Sequence, residues 1–474
     1  MGRAVIRLAR AAAAALLVLG LVPGAAGAAS ATFGTPTARA TFGTEVSFTQ
    51  RFDSPVPLAR VEVLLTFPEA LGPYVAEAAG ATPAGSRQMT YRWSLAKDGH
   101  IVPNTPITAR WRLVPADPAL PSIEGPPATI LYADTRFSWR TVEGKVVRLH
   151  WYEGSDAFGR RALAIGERAV EDAAAFLGVT ETAPIDFYVY AAQAPFYDAL
   201  GPGTRENVGG EAHADIRTMF ALISPAAVTD PWVGIVIPHE LTHLVFDTAV
   251  RNPYHAPPRW LNEGVAVYLS EGYTASDRGA TDAAAAAGRL MPLQALEGQF
   301  PTSAERFSLA YSESSSAIDF LVRTAGTPAL VKLIRSYAGG VTDDEAFRAA
   351  TGKDVAGFEA AWLADLGAAA PERRGPQPAP AGPLPPGWDG TTVPGASSPA
   401  PVASASAPVA SASPAPGSAA AGSIVGEGWF LALVALAGLA VGGGIAWALR
   451  RRSTSPPGPG PAAPGGDPPA GTLP

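Results

Sequence analysis

The chain has 474 residues, with 35 Lys and Arg against 42 Asp and Glu, for a formal net charge of −7. This balance, with no basic run, argues against a nucleic-acid binder. The absence of cysteine excludes disulfides, thiolate zinc sites, iron–sulfur clusters and catalytic thiols. The length suits two or three domains, and 50 Gly and 47 Pro, unevenly spread, mark off low-complexity segments from globular ones.

Residues 1–28 read as a secretory signal. Arg3, Arg7 and Arg10 precede an apolar stretch from Ala11 to Val22 that is too short to span a bilayer, and Ala26-Gly27-Ala28 offers a small-residue cleavage site. Residues 29–142 alternate in the β manner, as in Val46-Ser-Phe-Thr-Gln-Arg-Phe, Val61-Glu-Val-Leu-Leu-Thr-Phe and Ile107-Thr-Ala-Arg-Trp-Arg-Leu. Turn residues separate these runs, which predicts a β-sandwich of immunoglobulin-like kind. His100, beside Gly99, reads as a turn residue there.

Residues 143–369 change pattern. Val146 to Tyr152 predicts a strand, Phe158 to Leu177 an amphipathic helix, and Ile185 to Tyr190 and Arg217 to Ile223 two further strands. Helices follow residue 230 and end with Ala356 to Leu366, so the fold class is α+β. His150 alternates within a strand and reads as structural. Residues 214–223 predict an edge strand preceded by His213.

Residues 370–428, as in Pro394-Gly-Ala-Ser-Ser-Pro-Ala-Pro, have the composition of an extended linker that buries no core. Residues 429–449 form an uncharged apolar run of about 30 Å as a helix, with Trp429 and Trp447 near its ends and Arg450, Arg451 and Arg452 directly after. Flanking arginines stay on the cytoplasmic side. The expectation is a single-pass cell-membrane protein with extracytoplasmic domains and a short cytoplasmic tail at 450–474. No pattern in the chain indicates an oligomeric state.

The chemistry concentrates in Pro238-His-Glu-Leu-Thr-His-Leu-Val-Phe-Asp247. His239 and His243, four apart on a helix, present two imidazoles to one metal ion, with Glu240 at the edge of that face. Neutral imidazoles suit zinc. Asp230 and Pro231 offer a helix start, and Pro238 predicts a kink or a later one. A catalytic zinc needs a third protein ligand and an open position. Glu263 supplies a candidate within Pro258-Arg-Trp-Leu-Asn-Glu-Gly-Val-Ala-Val-Tyr-Leu, a second helix whose Leu261, Val265 and Leu269 face the core. A carboxylate in such an apolar setting needs a partner, and a metal is one.

His239-Glu-Leu-Thr-His243 with Asn262-Glu263 resembles the gluzincin metallopeptidases, the superfamily of thermolysin and the aminopeptidases, and looks like the bacterial peptidase MA-like domains. The resemblance implies a zincin-type domain holding one Zn2+ per chain on His239, His243 and Glu263, with Glu240 as general base and a peptide or protein substrate. The chain departs from the thermolysin pattern at Val267, where that pattern has an Asp that orients a ligand histidine; Asp247 or Glu271 is the expected substitute. The aminopeptidases' Gly-x-Met-Glu-Asn strand has no match, Gly209-Gly-Glu-Ala-His-Ala-Asp being nearest, which favours an endopeptidase or cleavage of an unusual peptide.

The oxyanion formed during hydrolysis needs a donor besides zinc. The candidates are Tyr311, from a downstream region in which resembling enzymes often supply a Tyr, His213 and His255. The alternatives to a peptidase are a catalytically inactive scaffold of the cell envelope on the same fold and a zinc hydrolase of non-peptide bonds.

Overall fold

The computed structural model describes residues 30–371, except 69, 203–208 and 253–254. The expected leader at 1–28, apolar span at 429–449 and tail at 450–474 lie outside the described residues, as does the linker from residue 372. Among the described residues, no helix is long and apolar enough to cross a membrane. The chain divides into two units at Ala133/Asp134 rather than at 142/143, and His100–Pro103 belongs with the second.

The first unit is a β-sandwich of two antiparallel sheets, as the alternation predicts. One sheet orders β1 (Thr32–Phe33), β3 (Glu45–Ser54) and β2 (Thr37–Thr41), with β6 (Gly85–Ser94) also on β3. The other orders β5 (Tyr74–Ala79), β4 (Leu58–Thr66), β7 (Thr105–Pro115) and β8 (Ile123–Glu124), with β9 (Ala128–Tyr132) also on β7. Period-two burial puts Val46, Phe48 and Phe52 of β3 and Ile107, Ala109, Trp111 and Leu113 of β7 inside. Glu62 is buried on β4 because Arg60 and Arg112 each donate to its carboxylate, at 2.5 and 2.6 Å.

The second unit is α+β. Its sheet runs in the order β10 (Arg140–Glu143), β11 (Val147–Trp151), β12 (Ile185–Tyr190), β14 (Thr218–Leu222) and β13 (Gly210–His213). β11, β12 and β14 are parallel, and the edges β10 and β13 are antiparallel. A parallel pair needs a crossover, and α1 (Asp156–Leu177) supplies it between β11 and β12. Ser155 caps α1 by accepting from the Phe158 N–H, and Gly178 ends it in the left-handed region. Val147, Leu149, Ile185, Phe187, Val189, Met219 and Ala221 line the sheet face that shares a core with the helices.

Three elements, β10, β13 and α2 (Gln193–Leu200), go beyond the sequence reading. Of the edge strand expected over 214–223, residues 214–217 are a turn, in which Arg217 takes a positive φ of 48°, and Thr218–Leu222 is β14, an interior strand between β12 and β13. The edge itself is β13, and His213 is its last residue rather than a residue before it.

The remaining helices are α3 (Val233–Val250), α4 (Arg259–Ser270), α5 (Ala275–Ala286), α6 (Ala304–Ala325), α7 (Thr327–Ser336), α8 (Asp343–Thr351) and α9 (Val355–Asp365). Asp230 does not cap α3: a short helical turn at Ala227–Thr229 comes first, and Trp232 is the cap residue. Pro238 lies inside α3, which runs through it unbroken. The bond Pro238 cannot donate would go to Gly234, in the first turn, where losing one bond costs least. From His239 to Phe246 every residue of α3 is buried, which makes it a core helix.

Candidate metal centre

One turn of α3 separates His239 from His243, so their rings meet edge-on with centroids 4.9 Å apart. Helix α4 brings Glu263 to both. Its Oε2 lies 3.6 Å from His239 Nε2 and 3.7 Å from His243 Nε2, too far for hydrogen bonds. Zinc–donor bonds of about 2.0–2.1 Å in tetrahedral array place neighbouring donors ~3.4 Å apart, close to this spacing. The three ligand atoms all lie within 4.8 Å of one another, and the three residues are buried. The donor set and its geometry fit zinc.

Electrostatics agree with this reading. Burial pushes the imidazole pKa of His239 down to about 3 and that of His243 down to about 4, so both present neutral nitrogens. Burial pushes Glu263 up to about 7, a shift that the neighbouring His243 and Arg259 only partly offset. The tautomer of His243 is set by Asn262, whose Oδ1 is 2.9 Å from Nδ1. With the proton on Nδ1, the Nε2 lone pair points at Glu263.

Asn262 thus does what sequence reading assigned to Asp247 or Glu271. Asp247 is pushed up to about 6 by burial, and its charged neighbours are Arg217, Asp215 and Glu181. Glu271 is pushed up to about 7 by burial, with Asp277 beside it. Val267 is plain core.

Glu240 is completely buried against β13. A β-carbon on Gly210 would stand 2.7 Å from Glu240 Cγ, so the carboxylate side chain lies directly on the strand backbone. Burial, then the charges of Glu263 and Glu211, hold its pKa well above the usual carboxylate range. Tyr311, in the second turn of α6, is also completely buried, with its ring centroid 6.3 Å from that of His239. Phe300 and Phe307 hold it edge-on at 5.3 and 5.2 Å. Burial and the Glu263 charge raise its hydroxyl far above the ordinary tyrosine value, so it stays protonated.

The other histidines lie elsewhere. His213 Nε2 is 3.0 Å from Glu211 Oε1, and strand alternation turns both to the face of β13 opposite Gly210. Burial lowers its pKa, but Glu211 more than offsets this, and the net shift is upward. His255 stacks on Tyr337 at 5.6 Å, with Nε2 3.4 Å from Asp343. His150 is structural as expected, 2.8 Å from Asp186 and stacked on Tyr188 at 4.3 Å. His100 is more than a turn residue, since its Nε2 meets the Ala199 carbonyl at 2.8 Å. Of the three oxyanion-donor candidates, only Tyr311 stands beside the triad.

Two residues that sequence reading passed over shape the centre. Arg259 Nε donates to Glu263 Oε1 at 3.1 Å, and its i,i+4 spacing from Glu263 on a predicted helix was the available signal. Gly264 lets α4 lie on the backbone of α6, because a β-carbon there would stand 2.6 Å from the Ser314 carbonyl.

Residues 166–368 match the family described as the Peptidase MA superfamily, a span that takes in the triad, Glu240 and Tyr311. Among solved structures the chain is similar to an M1 zinc metallopeptidase from Deinococcus radiodurans, at 15% identity and a TM-score of 0.35 over 72% of this chain and 92% of that one. It is similar to an aminopeptidase N family protein from Idiomarina loihiensis at 10% identity and 0.36, over 67% and 73%. For a Legionella pneumophila aminopeptidase A in complex with aspartic acid, the values are 10% and 0.31, over 70% and 51%. No curated protein matches the chain. The family match agrees with the resemblance carried by the His-Glu-Leu-Thr-His motif and supports a zinc peptidase.

Proposed function

We propose that this chain is a membrane-anchored, extracytoplasmic zinc metallopeptidase that hydrolyses peptide bonds with Glu240 as general base and one zinc on His239, His243 and Glu263. The carrying observation is that three neutral-leaning donors converge inside the core beside a fourth, uncoordinated carboxylate. Zinc in such a site supplies Lewis acidity toward a water and a substrate carbonyl. Glu240 takes the proton of the attacking water and delivers it to the leaving amine; its raised pKa suits a group that must hold that proton between the two steps. Tyr311, protonated and fixed by two phenylalanines, donates to the carbonyl oxygen as negative charge develops there. The strand β13, antiparallel to β14, ends the sheet order beside Glu240, and we place extended peptide substrate along it.

An envelope scaffold has no use for a carboxylate buried beside a complete ligand set, since each buried ionisable group costs stability. The test is hydrolysis of a quenched-peptide library by the zinc-loaded full-length protein beside Glu240→Gln. Cleavage lost in the variant, with zinc retained, is the expected result; equal cleavage by both forms would rule out Glu240 as base.

The signal at 1–28 and the arginine-flanked run at 429–449 support the membrane placement. Because the chain lacks cysteine, a single Cys introduced on the surface of the β-sandwich reports its side of the membrane by labelling with an impermeant maleimide. Labelling only after lysis would contradict that placement.

A further inference from the structure

The two oxygens of Glu263 have different partners. Oε2 faces His239 and His243 at 3.6 and 3.7 Å, while Oε1 accepts from Arg259 Nε at 3.1 Å. Arg259 is itself fixed. Its backbone N–H donates to the Glu297 carbonyl at 2.8 Å, its guanidinium lies 5.0 Å over the Phe300 ring, and its side chain is largely buried. Phe300 in turn packs on Tyr311, so one wall of side chains ties the arginine to the triad and to the hydroxyl.

We infer that Arg259 is a positioning residue that holds Oε1 of Glu263 away from the metal, so that the carboxylate serves as a one-oxygen ligand and a coordination position stays open for water and substrate. The inference rests on the zinc reading above and says which feature of this chain keeps the site catalytic rather than closed. A catalytic zinc differs from a structural one by that open position, and a carboxylate can fill it by turning both oxygens to the ion. The guanidinium is the suitable lock: it is always charged, planar and directional, and here it approaches from one turn earlier on the same helix.

The test compares the wild-type protein with Arg259→Met, which keeps an apolar stem against Phe300 but no donor, and with Arg259→Lys, which keeps a cationic donor. Zinc stoichiometry is measured first, followed by visible absorption of the cobalt(II)-substituted proteins, whose bands weaken as coordination number rises. The expected result is one metal in all three, weakened cobalt bands in Arg259→Met, and bands restored toward wild type in Arg259→Lys. Turnover in Arg259→Met falls about tenfold to a hundredfold with zinc retained. Cobalt bands in Arg259→Met that coincide with wild type would overturn the inference, as would loss of metal from the folded variant, which would make Arg259 a general support of the ligand. Wild-type protein that takes up no zinc would sink the parent reading, an outcome distinct from either.

Discussion

Gly210 and Glu240 stand so close that a β-carbon on Gly210 would be 2.7 Å from Glu240 Cγ and 3.1 Å from Val236 Cγ2. The edge strand and the helix that carries the metal motif touch here because this position has no side chain. Gly210→Ala therefore acts first on the Glu240 side chain, whose atoms are nearest to the added carbon. The expected outcome is a fall in kcat of about a hundredfold, the scale of a misplacement of about 1 Å, with zinc stoichiometry unchanged. Steady-state kinetics with wild-type kcat in Gly210→Ala would show that Glu240 does not need this place.

Asn262 sets the His243 ring through a 2.9 Å contact with Nδ1. Asn262→Ala removes the acceptor and leaves the ring free to turn. Zinc affinity, read by competition with a chromophoric chelator, drops about tenfold to a hundredfold. An affinity equal to wild type would mean that packing alone orients the imidazole.

Tyr311→Phe deletes one oxygen and keeps the ring between Phe300 and Phe307. If the hydroxyl binds the developing oxyanion, kcat falls about 10²–10³-fold. KM and the melting temperature change little. A variant whose KM rises while kcat holds would recast Tyr311 as a ground-state contact.

Gly264→Ala would push a β-carbon to 2.6 Å from the Ser314 carbonyl and 2.7 Å from Ile318 Cγ1. These are backbone and core atoms that cannot swing aside, so α4 must lift from α6. Chemical denaturation should show a loss of about 1–3 kcal/mol. Zinc affinity should weaken as well, because Glu263 moves with α4. A stability equal to wild type would mean that the helix pair has slack at this crossing.

Glu313, on α6 two residues beyond Tyr311, is completely buried and pushed up to about 8 by that burial, even though Met291 donates its N–H to both carboxylate oxygens at 3.1 Å. A folded-state pKa above the unfolded 4.5 means that the native state favours the protonated acid. Stability from this group is whole below pH 4.5 and is lost as pH rises through about 8. Glu313→Gln keeps an oxygen for the Met291 N–H and cannot ionise. The melting temperature of the variant should gain on wild type steadily across that window; a constant difference would mean the carboxylate ionises in the fold without penalty.

The sequence by itself determined what depends on spacing along one element. Four-residue spacing puts His239 and His243 on one helical face, and alternation predicts β3, β4 and β7 of the sandwich and β11 and β12 of the mixed sheet. Glu263 was legible because a lone carboxylate interrupts an apolar helical face. The short elements were not legible: β13 has four residues, and Gly-Glu-Ala-His lacks the β-branched run that marks a strand, so the edge was placed one strand too late.

Only the tertiary structure decided which side chains meet across elements. It brought Tyr311 to His239 while setting His213 beside Glu211 and His255 beside Tyr337, gave His243 to Asn262 rather than to Asp247 or Glu271, laid Glu240 on Gly210, and turned Oε1 of Glu263 to Arg259. Spacing fixes the face of a helix but not what packs against that face. In this protein, such contacts are set by close approach at Gly210 and Gly264, and by burial that leaves each polar atom few partners to choose from.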